Sequence, residues 1–430
     1  MRILLAANAS YVPPRGGATR SNLLWLEHLV RSGHTCRVVA ASLLDDASGK
    51  RRQMDEEASH LDWTRLALRD GIEIVERSGM RVYSVASQMR QIAVLRDQIR
   101  EFEPDWVLIS SEDLSHVLLG EAARSAPGRT VYLAHTPQFF PFGPASWNPD
   151  AEGAALVARA AAVVAIGHHT AGYIRSYIHR EVAVVHPPIY GDGPFDDFSC
   201  FERGLITIIN PCAVKGISIF LLLADRFPQY AFAALPGWGT TRVDREQLER
   251  RPNVSILPNC RNINDVLSRT RVLLMPSLWY EGFGLSVMEA MLHGIPAVTS
   301  DAGGLVEAKS GTGYVVPVRP IERHEPVFDE HGLPKPVIPE PDLTPWAAAL
   351  NELLGDRAVY EREAAASRAA ATRFVGGLRA AQMEELLAAL APASPAAAPH
   401  AEEAGKTIAN LSAAKRALLL RKLRGKASSS

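Results

Sequence analysis

The chain has 430 residues, of which 47% are hydrophobic and 22% charged, and its net charge is −1. Length and composition permit two or three packed domains and exclude a globally disordered chain. A charge so near zero argues against a nucleic-acid binder, and four scattered cysteines without a CxxC pair (Cys36, Cys200, Cys212, Cys260) argue against structural zinc or a disulfide framework and fit a reducing cytoplasm.

The opening MRILLAANASY carries an apolar run too short for a secretory leader, so it reads as a first strand. No run of about 20 uncharged apolar residues follows, so no membrane-spanning helix is expected. Peripheral membrane contact stays open. Short β-branched runs at 3–7, 36–41, 81–85, 107–110, 130–134, 163–166 and 182–185 alternate with helical stretches such as 21–32 and 88–102. This alternation predicts βαβ units around a parallel sheet. At 187–204 the pattern stops in proline, glycine and acid. It restarts with runs at 205–209, 231–235, 254–257, 272–275, 297–299 and 314–316.

The fold class is therefore α/β, with two Rossmann-like doubly wound domains facing a cleft. The expected divisions are 1–190, a linker at 191–204, a second domain at 205–390, and a tail at 391–430. The proline-rich 319–345 reads as a long irregular loop, either shaping a binding site or lying on the surface. Helices are expected at 346–354 and 359–390, an Ala/Pro linker at 391–399, and a last basic helix at 411–425.

The stretch YEGFGLSVMEA, 280–290, sits between a buried strand and a helix. Loops at the carboxyl ends of strands are where α/β sheets bind ligands. Gly282 and Gly284 let a ligand approach the backbone, and free N–H groups at a helix start attract anions, so 282–285 (Gly282, Phe283, Gly284, Leu285) is a phosphate cradle. Glu281 and Glu289, eight apart, would repel phosphate and should meet sugar or ribose hydroxyls instead. A surface loop with two solvated glutamates would look the same by spacing alone. SDAGGLVEA, 300–308, is a second strand–glycine–helix loop, with Gly303, Gly304 and Glu307; VPPRGGATR, 12–20, is a third, with Gly16, Gly17 and Arg20. Lys215, in NPCAVKG, and Arg20 are the cations placed to face a diphosphate; solvated surface cations are the plainer reading of each. His135 follows a strand, where it can bind substrate or move protons, or be a structural histidine. His168, His169 and His186 lie near other strand ends without HxH or HxxxH spacing, so no metal site is expected.

YEGFGLSVMEAMLHGIPAVTSDAGGLVE strongly resembles the signature of retaining glycosyltransferases of the GT-B fold, with glutamates eight apart (Glu281, Glu289) and a following GG pair (Gly303, Gly304). The resemblance covers roughly 1–390 and extends to Gly16–Gly17, Lys215–Gly216 and His135. It implies that the second domain binds a nucleotide sugar. Glu281 would contact sugar hydroxyls near the reacting centre and Glu289 the ribose. Lys215 would stabilise the leaving diphosphate, while His135 and the Gly16–Gly17 loop line the acceptor side. It further implies retention of anomeric configuration without metal or other cofactor. One position departs: the family usually carries an arginine five residues before the lysine, where this chain has Asn210.

LSAAKRALLLRKLRG, 411–425, resembles the helical segment that often precedes condensation domains of nonribosomal peptide and polyketide synthases. It would place the enzyme in natural-product assembly, in contact with a megasynthase; six basic and no acidic residues in 415–426 would equally suit an anionic membrane surface or a solvated helix. A transferase weakened into a docking module, a transferase acting on a lipid or cell-surface glycan, and a glycosidase using the two glutamates are the competing functions. The acceptor is not encoded legibly.

Overall fold

The computed structural model describes residues 1–14, 16–42, 63–260 and 262–390. The linker at 391–399 and the basic helix at 411–425 lie outside the described residues.

The first half is built on β1 (Arg2–Ala7), β2 (Thr35–Ala41), β3 (Trp63–Arg69), β4 (Ile72–Arg77), β5 (Met80–Val85), β6 (Trp106–Ser110), β7 (Thr130–Ala134), β8 (Ala162–Ala165) and β9 (Ala183–Val184). They form one sheet in the order β3-β4-β5-β2-β1-β6-β7-β8-β9. From β5 to β9 every pairing is parallel. Helices cover both faces, which is why β6, β7 and β8 are buried along their whole length and consist almost wholly of apolar residues. At one edge β3 and β4 add an antiparallel meander that the expected all-parallel sheet lacks. Its two turns, Asp70–Gly71 and Ser78–Gly79, all take positive φ. That is the twist a two-residue hairpin requires.

The second half is an all-parallel sheet, β12-β11-β10-β13-β14-β15, of β10 (Leu205–Ile209), β11 (Phe232–Leu235), β12 (Val254–Ile256), β13 (Thr270–Met275), β14 (Ala297–Ser300) and β15 (Val315–Val316). The strand order reverses beside β10, between β11 and β13, which opens a crevice at the carboxyl ends of those strands. Within the expected irregular segment 319–345, β16 (His324–Phe328) and β17 (Pro334–Pro336) pair as a hairpin. The single helix expected over 359–390 is two, Arg357–Gly376 and Gln382–Ala389. Gly376 and Gly377 end the first, glycine being about 1 kcal/mol per residue less favourable than alanine in a helix.

That break changes the chain's path. Helix Arg357–Gly376 packs on the second half, where the Tyr360 hydroxyl donates to the Arg271 carbonyl at 3.0 Å. Helix Gln382–Ala389 packs on the first: Glu384 bonds His28 at 3.2 Å and His34 at 3.0 Å. One apolar cluster accordingly runs from Ile3 and Leu5 to Leu273 and Met275 of the other sheet, and includes Met383 and Leu387. Among the described residues no helix is long and apolar enough to cross a membrane.

Candidate functional site

β13 ends at Met275, and the chain loops over the crevice before helix Leu285–Leu292 begins. Gly284 caps that helix at φ 115°, and no side chain caps its first N–H groups. The loop is held from below by the second glycine loop: the Gly304 N–H donates to the Glu281 carbonyl at 2.8 Å. A Cβ on Gly304 would lie 2.5 Å from the Gly282 oxygen. The GG pair therefore serves close stacking of one loop on another, and the helix after it is only Leu305–Ala308.

Glu281 and Lys215 meet in this crevice. Lys215 Nζ donates to both carboxylate oxygens, at 2.6 and 2.8 Å, and the Ser277 hydroxyl donates to one of them. Both residues are buried, and the ammonium lies 4.8 Å from the centre of the Trp279 ring. Gly216, at φ 75°, lets the lysine's turn rest on the Pro276 carbonyl, where a Cβ would come within 1.9 Å. Asn210 stands at the end of β10 with φ 57°, a left-handed conformation asparagine tolerates well. Its side-chain oxygen accepts from Gly239 N–H at 2.9 Å, while Nδ2 is buried without a partner among the described residues.

Glu289 faces the same cleft from the helix and meets Arg20 of the first half at 3.2 Å. Burial raises the Glu289 carboxyl above its ordinary value, and the arginine only partly counters this. Arg20, expected to face a diphosphate, here pairs with Glu289. Gly16 is the N-cap of helix Gly17–Arg31, which begins inside the expected loop. A Cβ on Gly17 would touch Leu285 Cδ1 at 2.7 Å, so the two glycine loops close on each other across the cleft.

His135 is buried, with Nε2 2.9 Å from Asn22 Oδ1 and Nδ1 without a partner among the described residues. Burial lowers its pKa, which favours the neutral imidazole. Its carbonyl presses on the 280–284 loop: a Cβ on Gly282 would sit 2.0 Å from it. The expected residues thus converge, with Glu281, Lys215, Asn210, Gly282, Phe283, Gly284, Leu285 and Glu289 on one wall and Gly16, Gly17, Arg20 and His135 on the other.

Other residues at the site carried no readable role. Tyr190 is half-buried, with its hydroxyl enclosed and close enough to Glu289 and Arg20 to feel both charges. Glu307 accepts from the N–H groups of His168 and His169, each at 2.9 Å, and from His186 Nε2 at 2.8 Å. His168, His186 and Glu307 bring ligand-type atoms within 4.8 Å of one another, though nothing in their spacing foretold it. Both carboxylate oxygens already accept N–H donors, so this cluster is a hydrogen-bonded junction. The β16–β17 hairpin also reaches the cleft. His331 contacts the Thr240 carbonyl at 3.2 Å, and His324 packs against Trp147 with ring centres 6.2 Å apart. Trp147 continues to Trp279 at 5.8 Å and Trp279 to Trp238 at 5.6 Å, an aromatic row from one half to the other beside Lys215.

A family model described as glycosyl transferases group 1 matches residues 214–324, and one described as Glycosyltransferase Family 4 matches residues 15–190. No curated protein matches the chain. Among solved structures it is similar to sucrose-phosphate synthase from Thermosynechococcus elongatus, at 15% identity, TM-score 0.63, over 90% of this chain and 98% of that one. It is similar to Anabaena HepE in complex with UDP and glucose, at 18% identity, TM-score 0.59, over 91% and 100%. It is also similar to the catalytic domain of starch synthase IV from Arabidopsis thaliana bound to ADP and acarbose, at 14% identity, TM-score 0.56, over 90% and 98%.

Proposed function

We propose, for a chain that belongs to the group 1 glycosyltransferases of the GT-B fold, that it moves a sugar from a nucleoside diphosphate donor to an acceptor with retention of anomeric configuration. The observation that carries this reading is the buried Lys215–Glu281 pair beneath an uncapped helix start and a glycine loop. A buried cation beside free N–H groups suits a leaving diphosphate. In this reading Lys215 turns from Glu281 to the diphosphate as donor enters, and Glu281 turns to the sugar hydroxyls. Glu289 gives up Arg20 for the ribose hydroxyls. The N–H groups of 282–285 hold phosphate, joined by Asn210 Nδ2, a neutral donor where a guanidinium is usual. Neutral His135 contacts the sugar from the acceptor side. Substitution proceeds on one face through an oxocarbenium-like state, the departing phosphate taking the acceptor proton. The chain's own donors meet the charge, so the reading calls for no metal. HepE with UDP and glucose, and starch synthase IV with ADP and acarbose, support a donor of this class.

The acceptor enters along the aromatic row, between Trp147 and the β16–β17 hairpin. A peptide or polyketide acceptor delivered by a synthase rests on the resemblance of 411–425 alone. Melting-temperature shifts against UDP, ADP, GDP and their sugars test the donor half of the proposal. The anomer formed, read by NMR, tests retention. No shift with any nucleotide, or an inverted product, would overturn the corresponding half.

A further inference from the structure

Helix His168–Ile178 of the first half begins without a cap of its own. Its N-cap is Gly167, which has no side chain to offer, and no side-chain hydrogen bond from its own half meets the opening N–H groups. Uncapped N–H groups at a helix start carry partial positive charge and need acceptors. Both oxygens of Glu307, from the other half, take these positions at 2.9 Å from His168 N and His169 N. The glycine makes this possible: a Cβ at 167 would lie 2.9 Å from Glu307 Oε2.

The contact does not stand alone. Thr170 donates its hydroxyl to the Gly282 carbonyl at 2.8 Å in a buried bond, and Tyr280 donates to the His169 carbonyl at 3.0 Å. With its side-chain amide turned so that both atoms find partners, Gln138 accepts from the Tyr280 N–H at 3.1 Å and donates to the Tyr280 carbonyl at 3.2 Å. His186, wedged between Phe283 and Phe374, adds its bond to Glu307. Apart from Phe374, which stacks on Phe283, every group on one side belongs to 280–283 or to Glu307, which the Gly304–Glu281 bond joins into one body. Every group on the other lies on the first half. Desolvation pushes the Glu307 carboxyl up, yet the bonds from His186, His168 and His169 outweigh it and hold the group below its usual range. The carboxylate is thus matched to this seat.

We infer that Glu307 is a positioning residue that holds the cleft closed, supplying from the donor half the cap that the helix His168–Ile178 lacks. The same closure sets the His135 carbonyl against Gly282, fixing the acceptor wall relative to Glu281. Its consequence for catalysis rests on reading 281–285 as the donor loop; the closure itself does not.

The test is amide hydrogen exchange of the full chain without ligand, for wild type, Glu307→Ala and Glu307→Gln, with small-angle scattering on the same samples. A hydrogen bond to a charged acceptor contributes about 1.5–3 kcal/mol, so Glu307→Ala should speed exchange of the 167–170 amides by about tenfold or more and enlarge the radius of gyration. Glu307→Gln, which keeps one acceptor oxygen, should fall between. UDP-glucose turnover should drop in kcat while affinity for UDP, which needs only the donor half, stays within about threefold. Unchanged exchange and radius in Glu307→Ala would overturn the inference. So would exchange that rises evenly over both halves, the mark of lost overall stability. If wild type binds no nucleotide, the donor reading fails, but the exchange and scattering results still decide the closure.

Discussion

Lys215 is the residue whose loss separates chemistry from stability most cleanly. Its ammonium holds both oxygens of Glu281 at 2.6 and 2.8 Å, and both side chains are about nine-tenths buried. Lys215→Met strands a carboxylate that keeps only the Ser277 hydroxyl. Breaking a buried pair from one side costs about 3–5 kcal/mol, so the urea midpoint should fall visibly. The catalytic loss has a different origin. Two unit charges about 4 Å apart at an effective dielectric near 20 interact by about 4 kcal/mol, close to the roughly 2.7–4 kcal/mol lost when one donor to a developing anion is removed. Turnover, followed as nucleoside diphosphate release, should therefore fall by about 10²–10³-fold. The double variant Lys215→Met, Glu281→Gln removes both charges and should regain most of the stability while remaining inactive. Retention of wild-type kcat within about threefold in Lys215→Met, or recovery of activity together with stability in the double variant, would refute the reasoning.

Glu281→Gln alone frees Lys215 for phosphate, so calorimetry should show tighter binding of bare nucleoside diphosphate and weaker binding of the nucleotide sugar. Glu289→Ala should weaken nucleoside diphosphate binding by about 10–100-fold, the range for a charge-assisted hydrogen bond, whereas Arg20→Ala, whose guanidinium is half exposed, should change it by less than about threefold. Gly282→Ala places a methyl 2.0 Å from the His135 carbonyl, and should abolish transfer while leaving nucleotide-induced melting shifts of the donor half in place. Because burial lowers the His135 pKa, kcat/KM should show no protonation limb near the ordinary value of about 6.5. The stability linked to this neutral histidine is fully present above that value and lost as pH falls through its lower folded one, a loss that His135→Gln should remove from the pH–melting curve.

Much of the fold was legible because parallel strands buried on both faces are nearly uninterrupted apolar runs, as at 107–110 and 272–275. The edge meander was not read, because β3 is mostly exposed and does not alternate, so that only the dipeptides Asp70–Gly71 and Ser78–Gly79 mark its turns. Gly376–Gly377 likewise marked the end of a helix that periodicity alone extends to 390. At the site, residue types with one chemical use each were found by their spacing: glutamates beside a glycine turn, a lysine at a loop's end. Partners brought together by folding were not. Nothing local says that Arg20 reaches Glu289, that Glu307 bonds to a histidine and to backbone amides more than a hundred residues away, or that Trp147 and Trp279 touch. These pairings exist only once two sheets face each other. The proline-rich segment reads as irregular because its hairpin is short and exposed and has prolines at both ends of one strand.

The chain passes between its halves twice, outward through 191–204 and back through 377–381, after which Gln382 donates to the Val184 carbonyl at 2.9 Å. A body on one tether can swing and twist in every direction. A body on two nearly loses all but rotation about the line joining them. Opening and shutting should then follow a single arc, so that each return brings Gly17 back to Leu285 and His135 back to Gly282 in the same register, with no search for alignment. Severing the return crossing, for instance by ending the chain at 376, should leave a protein that still holds nucleotide yet rarely finds the shut arrangement.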